Sequence, residues 1–183
     1  MTNQPCRLAI VVSHPIQYYV PLYQRLARRE ELEIRVFYTW HAAETAMLDP
    51  GFETPVAWDI PLREGYGFER VPNVARNSGT HRFFGLRNPS LLAQVRAWRP
   101  DVVHLTGWAW ASHLSLLRGL HRRRLPVLFR GDSHLLDSHR LGPRWWVKRA
   151  LLRRVFSWPS EFLYVGRANR AYFKAFGVEE SRL

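Results

Sequence analysis

The stretch LAIVVSHPIQYYVPLYQRLAR, residues 8–28, places an apolar run, a polar turn and an amphipathic segment in immediate succession. Residues 8–12 are all apolar, as expected of a strand that is buried on both faces. Ser13-His14-Pro15 forms the turn, and apolar side chains then recur at helical spacing over 17–28. The stretch therefore predicts a strand that leads directly into a helix.

The same alternation continues along the chain. Further strands are predicted at 33–38, 68–71, 102–106, 126–130 and 162–165. Further helices are predicted over 88–98, 109–122, 143–156 and 167–176, the last closed by Gly177. Strands that alternate with helices indicate a mainly parallel sheet with right-handed crossovers. We therefore expect an α/β fold of the Rossmann-like, doubly wound kind, with helices on both faces of the sheet.

Length and composition fit a single folded domain over 1–183. Aromatic residues make up 14% of the 183 residues, which argues against disorder. The one cysteine, Cys6, excludes an internal disulfide, and no apolar run is long enough to span a bilayer. We expect a cytoplasmic protein. The long irregular stretch 39–88 is expected to be a functional loop or to contain a short extra hairpin.

The formal net charge of +12 comes almost entirely from arginine, because only Lys148 and Lys174 among the 27 basic residues are lysines. Such a charge suits an acidic partner: anionic lipid, a phosphorylated glycan carrier or nucleic acid. The cluster His121-Arg122-Arg123-Arg124 prompts the nucleic-acid alternative. Acidic residues are scattered among the basic ones and no nucleic-acid-binding signature is present, so no specific nucleic acid is expected.

The segment 143–156 interleaves tryptophan and aliphatic residues with arginine and lysine. This composition is typical of a helix in a membrane interface, and it predicts peripheral contact with the inner face of the plasma membrane. At helical spacing the basic residues do not separate onto one face, however. The alternative is a packed helix whose arginine stems reach solvent.

Ligands of a doubly wound fold bind beyond the carboxyl ends of its strands. Polar or conformationally special residues follow four of the predicted strands there: Ser13, His14, Gln17 and Tyr18; Gly107 and Trp108; Gly131, Asp132, Ser133 and His134; and Arg167. The sequence predicts that they share one edge of the sheet and form a site. The alternative is that they are helix caps and turn residues.

Competing signatures are missing or incomplete. The sequence has no Walker A motif and no serine nucleophile elbow, and Gly65-Tyr66-Gly67 lacks the third glycine of a dinucleotide fingerprint. Asp132, His134, Asp137 and His139 are clustered, but their spacing matches no familiar zinc pattern. No metal and no other cofactor is therefore expected.

Several segments in consistent order resemble the amino-terminal domain of family 4 glycosyltransferases, which have the GT-B architecture. The resemblance covers nearly the whole chain, and its most specific parts are SHPIQYY and the GFxxxVxWDxPLxxGY pattern. The segments are SHPIQYYVPLY (13–23), FYTW (37–40), GFETPVAWDIPLREGY (51–66), RPDVVHLTGW (99–108), PVLFRGDSHLL (126–136) and FLYVGRANRAYFKAFGV (162–178).

The resemblance implies the acceptor-side half of a retaining glycosyltransferase of the hexosyltransferase type. Such an enzyme moves a sugar from a nucleotide-sugar to a glycan or lipid-linked acceptor, with no essential metal. The donor would bind a second domain that this chain does not contain, so the chain alone is expected to be inactive. The alternatives are a non-catalytic module that binds glycan or anionic lipid, and a basic nucleic-acid-binding module.

The resemblance also suggests roles for individual residues. Many family members have a glycine pair after the first strand, where this chain has Ser13-His14-Pro15, and a histidine near the position of Asp132. Either Asp132 or His134 would meet the sugar, and Asp132 is preferred because a carboxylate accepts two hydrogen bonds from a polyol. Asp132 and His14 are the predicted catalytic residues.

The other predicted roles concern charge, stacking and the wall of the acceptor site. His14, Arg130 and Arg167 are expected to add positive charge beside the departing diphosphate. Tyr18, Trp40 and Trp108 are expected to stack on acceptor rings. From the 39–88 stretch, the predicted contacts are Asn77, Thr80 and Arg82.

Overall fold

The computed structural model describes residues 4–40, 47–48, 55–56, 61–135 and 142–183. Eight strands lie within these ranges: β1 Cys6–Val12, β2 Leu32–Tyr38, β3 Met47–Leu48, β4 Pro55–Val56, β5 Gly67–Arg70, β6 Val102–Thr106, β7 Val127–Arg130 and β8 Glu161–Leu163. Six of them form one sheet in the order β5-β2-β1-β6-β7-β8, and every pairing in it is parallel. The predicted parallel sheet is confirmed.

Helices connect the strands of this sheet. They are α1 Val20–Ala27, α2 Leu91–Ala97, α3 Ala111–His121, α4 Pro143–Phe156 and α5 Arg167–Ala175. The chain runs outward from β1 through β2 to β5, then returns across β1 to β6 and continues outward to β8. This reversal of direction beside β1 creates the switch point at which doubly wound folds bind ligands.

Alternate residues of the central strand β1 contribute side chains to two apolar cores, one on each face of the sheet. Ala9 and Val11 belong to the larger core, which also contains buried side chains of α2, α3, α4 and α5. Ile10 and Val12 point to the opposite face, where they pack with Tyr23 of α1. Because a strand alternates its side chains between the two faces of a sheet, the uniformly apolar run 8–12 requires cover on both. The predicted Rossmann-like fold with helices on both faces is confirmed.

The irregular stretch 39–88 contains the expected short hairpin and the expected extra strand. β3 and β4 pair with each other as a two-stranded antiparallel hairpin, and β5 adds a strand to the edge of the main sheet beside β2. Residues 41–46, 49–54 and 57–60, which include half of the GFETPVAWDIPLREGY pattern, lie outside the described residues.

Most element boundaries differ from the prediction by one to three residues, and two of these differences have a visible cause. β8 ends at Leu163 instead of residue 165, because the backbone N–H of Val165 donates a 3.2 Å hydrogen bond to Oδ1 of Asn169 and so leaves the strand ladder. α1 begins at Val20 instead of residue 17, after a turn in which the N–H of Tyr19 donates to the carbonyl of Ile16. Gly177 has a φ of +88° directly after α5, which confirms the predicted helix stop.

Part of the positive charge has a structural explanation. Each of the five α-helices carries a basic residue in its last turn, where it interacts favourably with the negative end of the helix dipole. The residues are Arg25, Arg96, Arg118, His121, Arg153, Arg154 and Lys174. Within the described ranges, none of the helices has the length and apolarity needed to cross a membrane.

Candidate functional site

A cleft of about 470 Å³ opens at the carboxyl edge of the sheet, beside the switch point. Residues from the ends of β1, β6 and β7 and from the segments that follow these strands form most of its wall. The lining residues are Val12, Ser13, His14, Ile16, Tyr18, Tyr19, Thr80, Thr106, Gly107, Trp110, Arg130, Gly131, Asp132 and Val165. The structure thus brings eight of the predicted site residues together: Ser13, His14, Tyr18, Thr80, Gly107, Arg130, Gly131 and Asp132.

Ser13 and His14 form a hydrogen-bonded pair at the end of β1. The Oγ atom of Ser13 lies 2.9 Å from Nδ1 of His14, and Ser13 itself is buried. Burial lowers the pKa of His14 below its usual value, because the charged imidazolium loses hydration. A lowered pKa does not favour the positive charge that was expected of His14. At neutral pH it presents an uncharged ring to the cleft, able to accept or donate one hydrogen bond at its remaining nitrogen.

Trp40 supports the ring of His14 from behind. The two ring centroids are 5.4 Å apart at an interplanar angle of 87°, which is edge-to-face packing. Only 7% of Trp40 is exposed. In this position the indole holds the imidazole in place and does not offer a free face for stacking on a sugar ring, contrary to its predicted role.

Arg130 provides the positive charge of the cleft. It is the last residue of β7, so the sheet fixes its backbone, and its register partner on β6 is Thr106. Its guanidinium carbon lies 4.7 Å from the ring centroid of Tyr19, a cation–π contact that holds the side chain against α1. Arg130 is therefore a permanent cation that is positioned before any ligand arrives.

Gly107 and His113 shape the floor of the cleft between β6 and α3. Gly107 has a φ of +76°, a conformation that glycine adopts without strain. The Nδ1–H of His113 donates to the carbonyl oxygens of Thr106 and Gly107, at 3.0 and 3.2 Å. Its Nε2 lies 3.1 Å from Oγ1 of Thr39, at the end of β2. This fully buried histidine joins the ends of two strands beneath the site, and burial lowers its pKa to about 4.

The loop between β5 and α2 reaches the cleft through Thr80. The indole N–H of Trp110 donates a 2.9 Å hydrogen bond to the carbonyl oxygen of Thr80, which fixes this part of the loop against the start of α3. Buried Asn88 anchors the other end of the loop. Its Nδ2 donates to the carbonyl oxygens of Thr39, Val71 and Pro72, and its Oδ1 accepts from Ser112.

Asp132 also lines a second cleft, of about 410 Å³, on the other side of the segment that follows β7. Its remaining lining residues are Trp108, Ser133, His134, Lys148 and Tyr172. The Nδ2 of Asn169 donates a 2.8 Å hydrogen bond to the carbonyl oxygen of Ser133, which holds this segment against α5. The second cleft thus contains three further predicted residues, Trp108, Ser133 and His134, and Asp132 connects it to the first.

The other predicted residues lie elsewhere. Asn77 and Arg82 line a third cleft of about 320 Å³, formed by the tip of the loop that carries Thr80. Gln17 and Arg167 are not among the residues that line these three clefts. Arg167 is the exposed first residue of α5. Most of the predicted site residues therefore form one main group around Asp132, two lie at the tip of the loop, and Gln17 and Arg167 belong to neither group.

Sequence reasoning missed Tyr19, Thr106 and Trp110 in the main cleft. Thr106 ends β6, so the rule that ligands bind at strand ends was sufficient to find it. Tyr19 and Trp110 come from the starts of the following helices, and no pattern in the sequence shows that these rings turn back over the sheet edge.

Across the described part of the chain, no three His, Cys, Asp or Glu side chains come together as metal ligands. Asp137 and His139 of the predicted acidic and histidine cluster lie outside the described residues.

A parallel doubly wound sheet with a polar cleft at its switch point defines the class of Rossmann-like ligand-binding domains. Residues 49–183 match the family profile described as Glycosyltransferase Family 4. This match covers more than half of the chain, and the chain belongs to the glycosyltransferase family 4. No curated protein sequence matches it.

Similarity to solved structures concerns the fold. A UDP-N-acetylglucosamine 2-epimerase from Rickettsia bellii aligns with 98% of this chain at 16% identity and a TM-score of 0.56. The chain spans 43% of the length of that protein. A short-chain dehydrogenase/reductase from Veillonella parvula is less similar, with 14% identity, a TM-score of 0.46 and coverage of 87% of this chain and 67% of its own.

Proposed function

We propose that this chain is the acceptor-side domain of a retaining glycosyltransferase that moves a hexose from a nucleotide-sugar to a glycan or lipid-linked acceptor. The observation that carries the proposal is the 470 Å³ cleft at the sheet edge, which eight of the predicted site residues line. A cleft of this volume accommodates one or two sugar rings. Family membership supports the reaction type, and the cleft suggests where the acceptor lies.

The chemistry of transfer requires charge stabilisation. An oxocarbenium-like centre develops on the sugar while negative charge develops on the departing diphosphate. Arg130 is the fixed cation in the cleft, and its contact with Tyr19 keeps the guanidinium near one orientation. We assign to Arg130 the stabilisation of negative charge on the leaving group or on a phosphate of the acceptor.

Asp132 and His14 would act on hydroxyl groups. The exposed carboxylate of Asp132 lies between the first and second clefts, so it can accept hydrogen bonds from a sugar on either side. The neutral ring of His14, held by Ser13 and Trp40, is suited to one directed hydrogen bond with the sugar. Both residues would orient the reacting groups, which contributes to rate by proximity.

The acceptor would extend beyond the main cleft. Tyr18 is 66% exposed at one end of the main cleft, where its ring is available for stacking on a sugar. Trp108 lies in the second cleft with Asp132 and His134. This arrangement fits an acceptor of several sugar rings, or one sugar attached to a lipid carrier, with Asp132 at the junction.

The donor would bind a second domain. The chain spans 43% of the aligned epimerase, and nucleotide binding in GT-B enzymes is expected on the domain that follows the acceptor side. We therefore propose that the chain by itself does not transfer sugar. In the proposed mechanism the nucleotide-sugar is a substrate, no metal takes part, and the reaction takes place in the cytoplasm.

A transfer assay tests this proposal. The enzyme that contains this domain together with its donor domain is incubated with a panel of UDP- and GDP-hexoses and with glycan and polyprenyl-phosphate-sugar acceptors, and the anomeric configuration of the product is determined by NMR. The proposal predicts transfer from one nucleotide-sugar with retained configuration. Inverted configuration would refute the retaining mechanism, and hydrolysis or epimerisation of the donor without transfer would refute the assigned reaction.

A further inference from the structure

Helix α4, Pro143–Phe156, is apolar on two opposite faces. One face packs into the larger core through Leu152, Val155 and Phe156, each at most 2% exposed. The opposite face is also apolar but lies in solvent. There Trp146 is 61% exposed, Val147 70% and Leu151 53%. Exposing three large apolar side chains on one helix is costly, so this face is suited to a partner.

These exposed side chains form a continuous stripe. Residues three and four apart on a helix are neighbours on its surface, so Trp146 adjoins Ala150 and Val147 adjoins Leu151. Ala150 is exposed as well. At 100° per residue the four positions 146, 147, 150 and 151 span roughly 140° of the helix surface, centred opposite Leu152 and Phe156. We refer to these four residues as the α4 stripe.

Cations flank the α4 stripe on both sides. Residues 143–156 include five basic residues and no acidic one. Arg149 and Arg153 lie on one flank at helical spacing, and Lys148 lies on the other, between the stripe and the buried face, where it also lines the second cleft. The exposed Arg154 bounds the stripe at its carboxyl-terminal end. The guanidinium carbon of Arg149 is 5.6 Å from the ring centroid of Trp146, and Lys148 Nζ is 5.9 Å from that of Tyr172. Lys148 and Arg149 occupy the middle of the helix, where interaction with the helix dipole does not account for them.

We propose that the α4 stripe docks on the surface of an anionic phospholipid membrane. Trp146, Val147 and Leu151 would enter the boundary between headgroups and acyl chains, while the flanking cations contact lipid phosphates. At 14 residues α4 is about 21 Å long, so it would lie in the plane of the interface. This surface is separate from the main cleft, and the inference does not depend on the proposed transfer reaction.

Charge decides between the possible occupants of the stripe. A second copy of the chain would bring the same set of cations against these ones, and like charges at short distance oppose association. Nucleic acid would satisfy the cations but would leave the apolar centre of the stripe against a polar backbone. An anionic bilayer satisfies both, because it presents phosphates at its surface and hydrocarbon beneath them.

Co-sedimentation with lipid vesicles tests the proposal on the full chain. Binding is measured with vesicles of pure phosphatidylcholine and with vesicles of equal parts phosphatidylcholine and phosphatidylglycerol, at low and at physiological salt. We expect binding to the mixed vesicles only, and weaker binding at the higher salt. The variant Trp146→Ser/Leu151→Ser should bind the mixed vesicles at least about tenfold more weakly, because it removes most of the inserted apolar area.

Matched variants distinguish binding through the α4 stripe from non-specific binding by other exposed apolar or basic residues. Leu22→Ser/Val74→Ser changes two side chains that are 46% and 61% exposed elsewhere on the surface, and it should bind like the wild type. Arg149→Ala/Arg154→Ala should weaken binding about tenfold and reduce its salt dependence. Arg118→Ala/Arg122→Ala, at the carboxyl-terminal end of α3, should reduce the binding free energy by less than half as much. Circular dichroism checks that each variant is folded.

Several results would overturn the proposal. They are absence of binding to mixed vesicles, equal binding by Trp146→Ser/Leu151→Ser and the wild type, and equal losses from the α3 and α4 arginine pairs. Sedimentation velocity without lipid could give one further contradicting result. A dimer of the wild type that the stripe variant abolishes would assign the surface to a second copy of the chain.

Discussion

The indole Nε1–H of Trp110 donates a hydrogen bond to the carbonyl oxygen of Thr80 across 2.9 Å, and this bond joins two parts of the chain that are 30 residues apart. Trp110 precedes α3, which follows the central strand β6, while Thr80 belongs to the long loop after β5. Both residues line the main cleft. One side of the cleft therefore depends on a loop whose Thr80 is held in place by Trp110.

Replacing Trp110 by phenylalanine should loosen this wall. The Trp110→Phe variant keeps an aromatic ring but leaves the Thr80 carbonyl without its donor, so we expect the free energy of unfolding to fall by about 1 kcal/mol. Amide exchange of the loop over 72–88 should accelerate. Urea unfolding and hydrogen exchange measure the two effects.

Trp98→Phe is the control for this change. Trp98 is buried, and its Nε1 has no hydrogen-bond partner among the described residues. The control should therefore leave exchange in the loop unchanged. Faster loop exchange in Trp98→Phe than in Trp110→Phe would contradict the role of the bond to Thr80.

Asn88 should be the least replaceable polar residue of the loop. Asn88→Ala removes a donor that serves three backbone carbonyls and an acceptor for Ser112, and all these groups except the Pro72 carbonyl would stay buried. We expect a loss of about 3 kcal/mol in urea unfolding. The exposed Asn77 provides the control, and Asn77→Ala should change stability by less than about 0.5 kcal/mol. Similar losses in the two variants would contradict this assignment.

Acid should destabilise the fold through His113. Burial lowers the pKa of this residue to about 4 in the folded chain, whereas an unfolded histidine titrates near about 6.5. The unfolded state therefore binds protons first as the pH falls. His113 contributes its full stabilisation above about pH 6.5 and loses it progressively towards pH 4, by roughly 3 kcal/mol in total.

The pH dependence of urea unfolding in His113→Asn tests this account. Asparagine retains a donor for the Thr106 and Gly107 carbonyls but does not titrate. At neutral pH the free energy of unfolding of His113→Asn should be lower than that of the wild type. Between pH 6.5 and pH 4 it should fall less steeply than that of the wild type. An equally steep fall in both proteins would show that other groups dominate the acid response.

The fold was largely predictable because its signals are local. The apolar run at 8–12 and the alternation after residue 88 identified the parallel sheet, since each strand must be buried on both faces. The end of β8 was mispredicted because Tyr164 and Val165 are apolar, yet both are exposed. Only the local hydrogen bond from the N–H of Val165 to the side chain of Asn169 shows where the strand stops.

The site was predictable at strand ends and less so elsewhere. Ser13, His14, Gly107 and Asp132 follow strands whose carboxyl ends share one edge, so topology was enough to group them. Trp40 also follows a strand, but it is buried behind His14, and sequence does not reveal which aromatic ring is covered. Sequence also does not reveal the burial that lowers the pKa of His14.

The two faces of α4 were the least predictable feature. Its apolar residues occur on both sides of the helix, so the sequence shows no clear amphipathic pattern. Only the packing of Leu152 and Phe156 reveals that Trp146 and Leu151 are on the outer face.

The central claim is that the main cleft binds the acceptor sugar, and kcat/KM for transfer tests it most directly. The measurement compares the wild-type enzyme, in the form that includes its donor domain, with Asp132→Asn and His14→Ala. Glu31→Gln and His121→Ala change exposed residues outside the lining of the three clefts and serve as controls. We predict a loss of at least about tenfold in each cleft variant, from lost hydrogen bonds to the reacting sugars, and wild-type values in both controls. Near-wild-type kcat/KM in Asp132→Asn and His14→Ala would contradict the account.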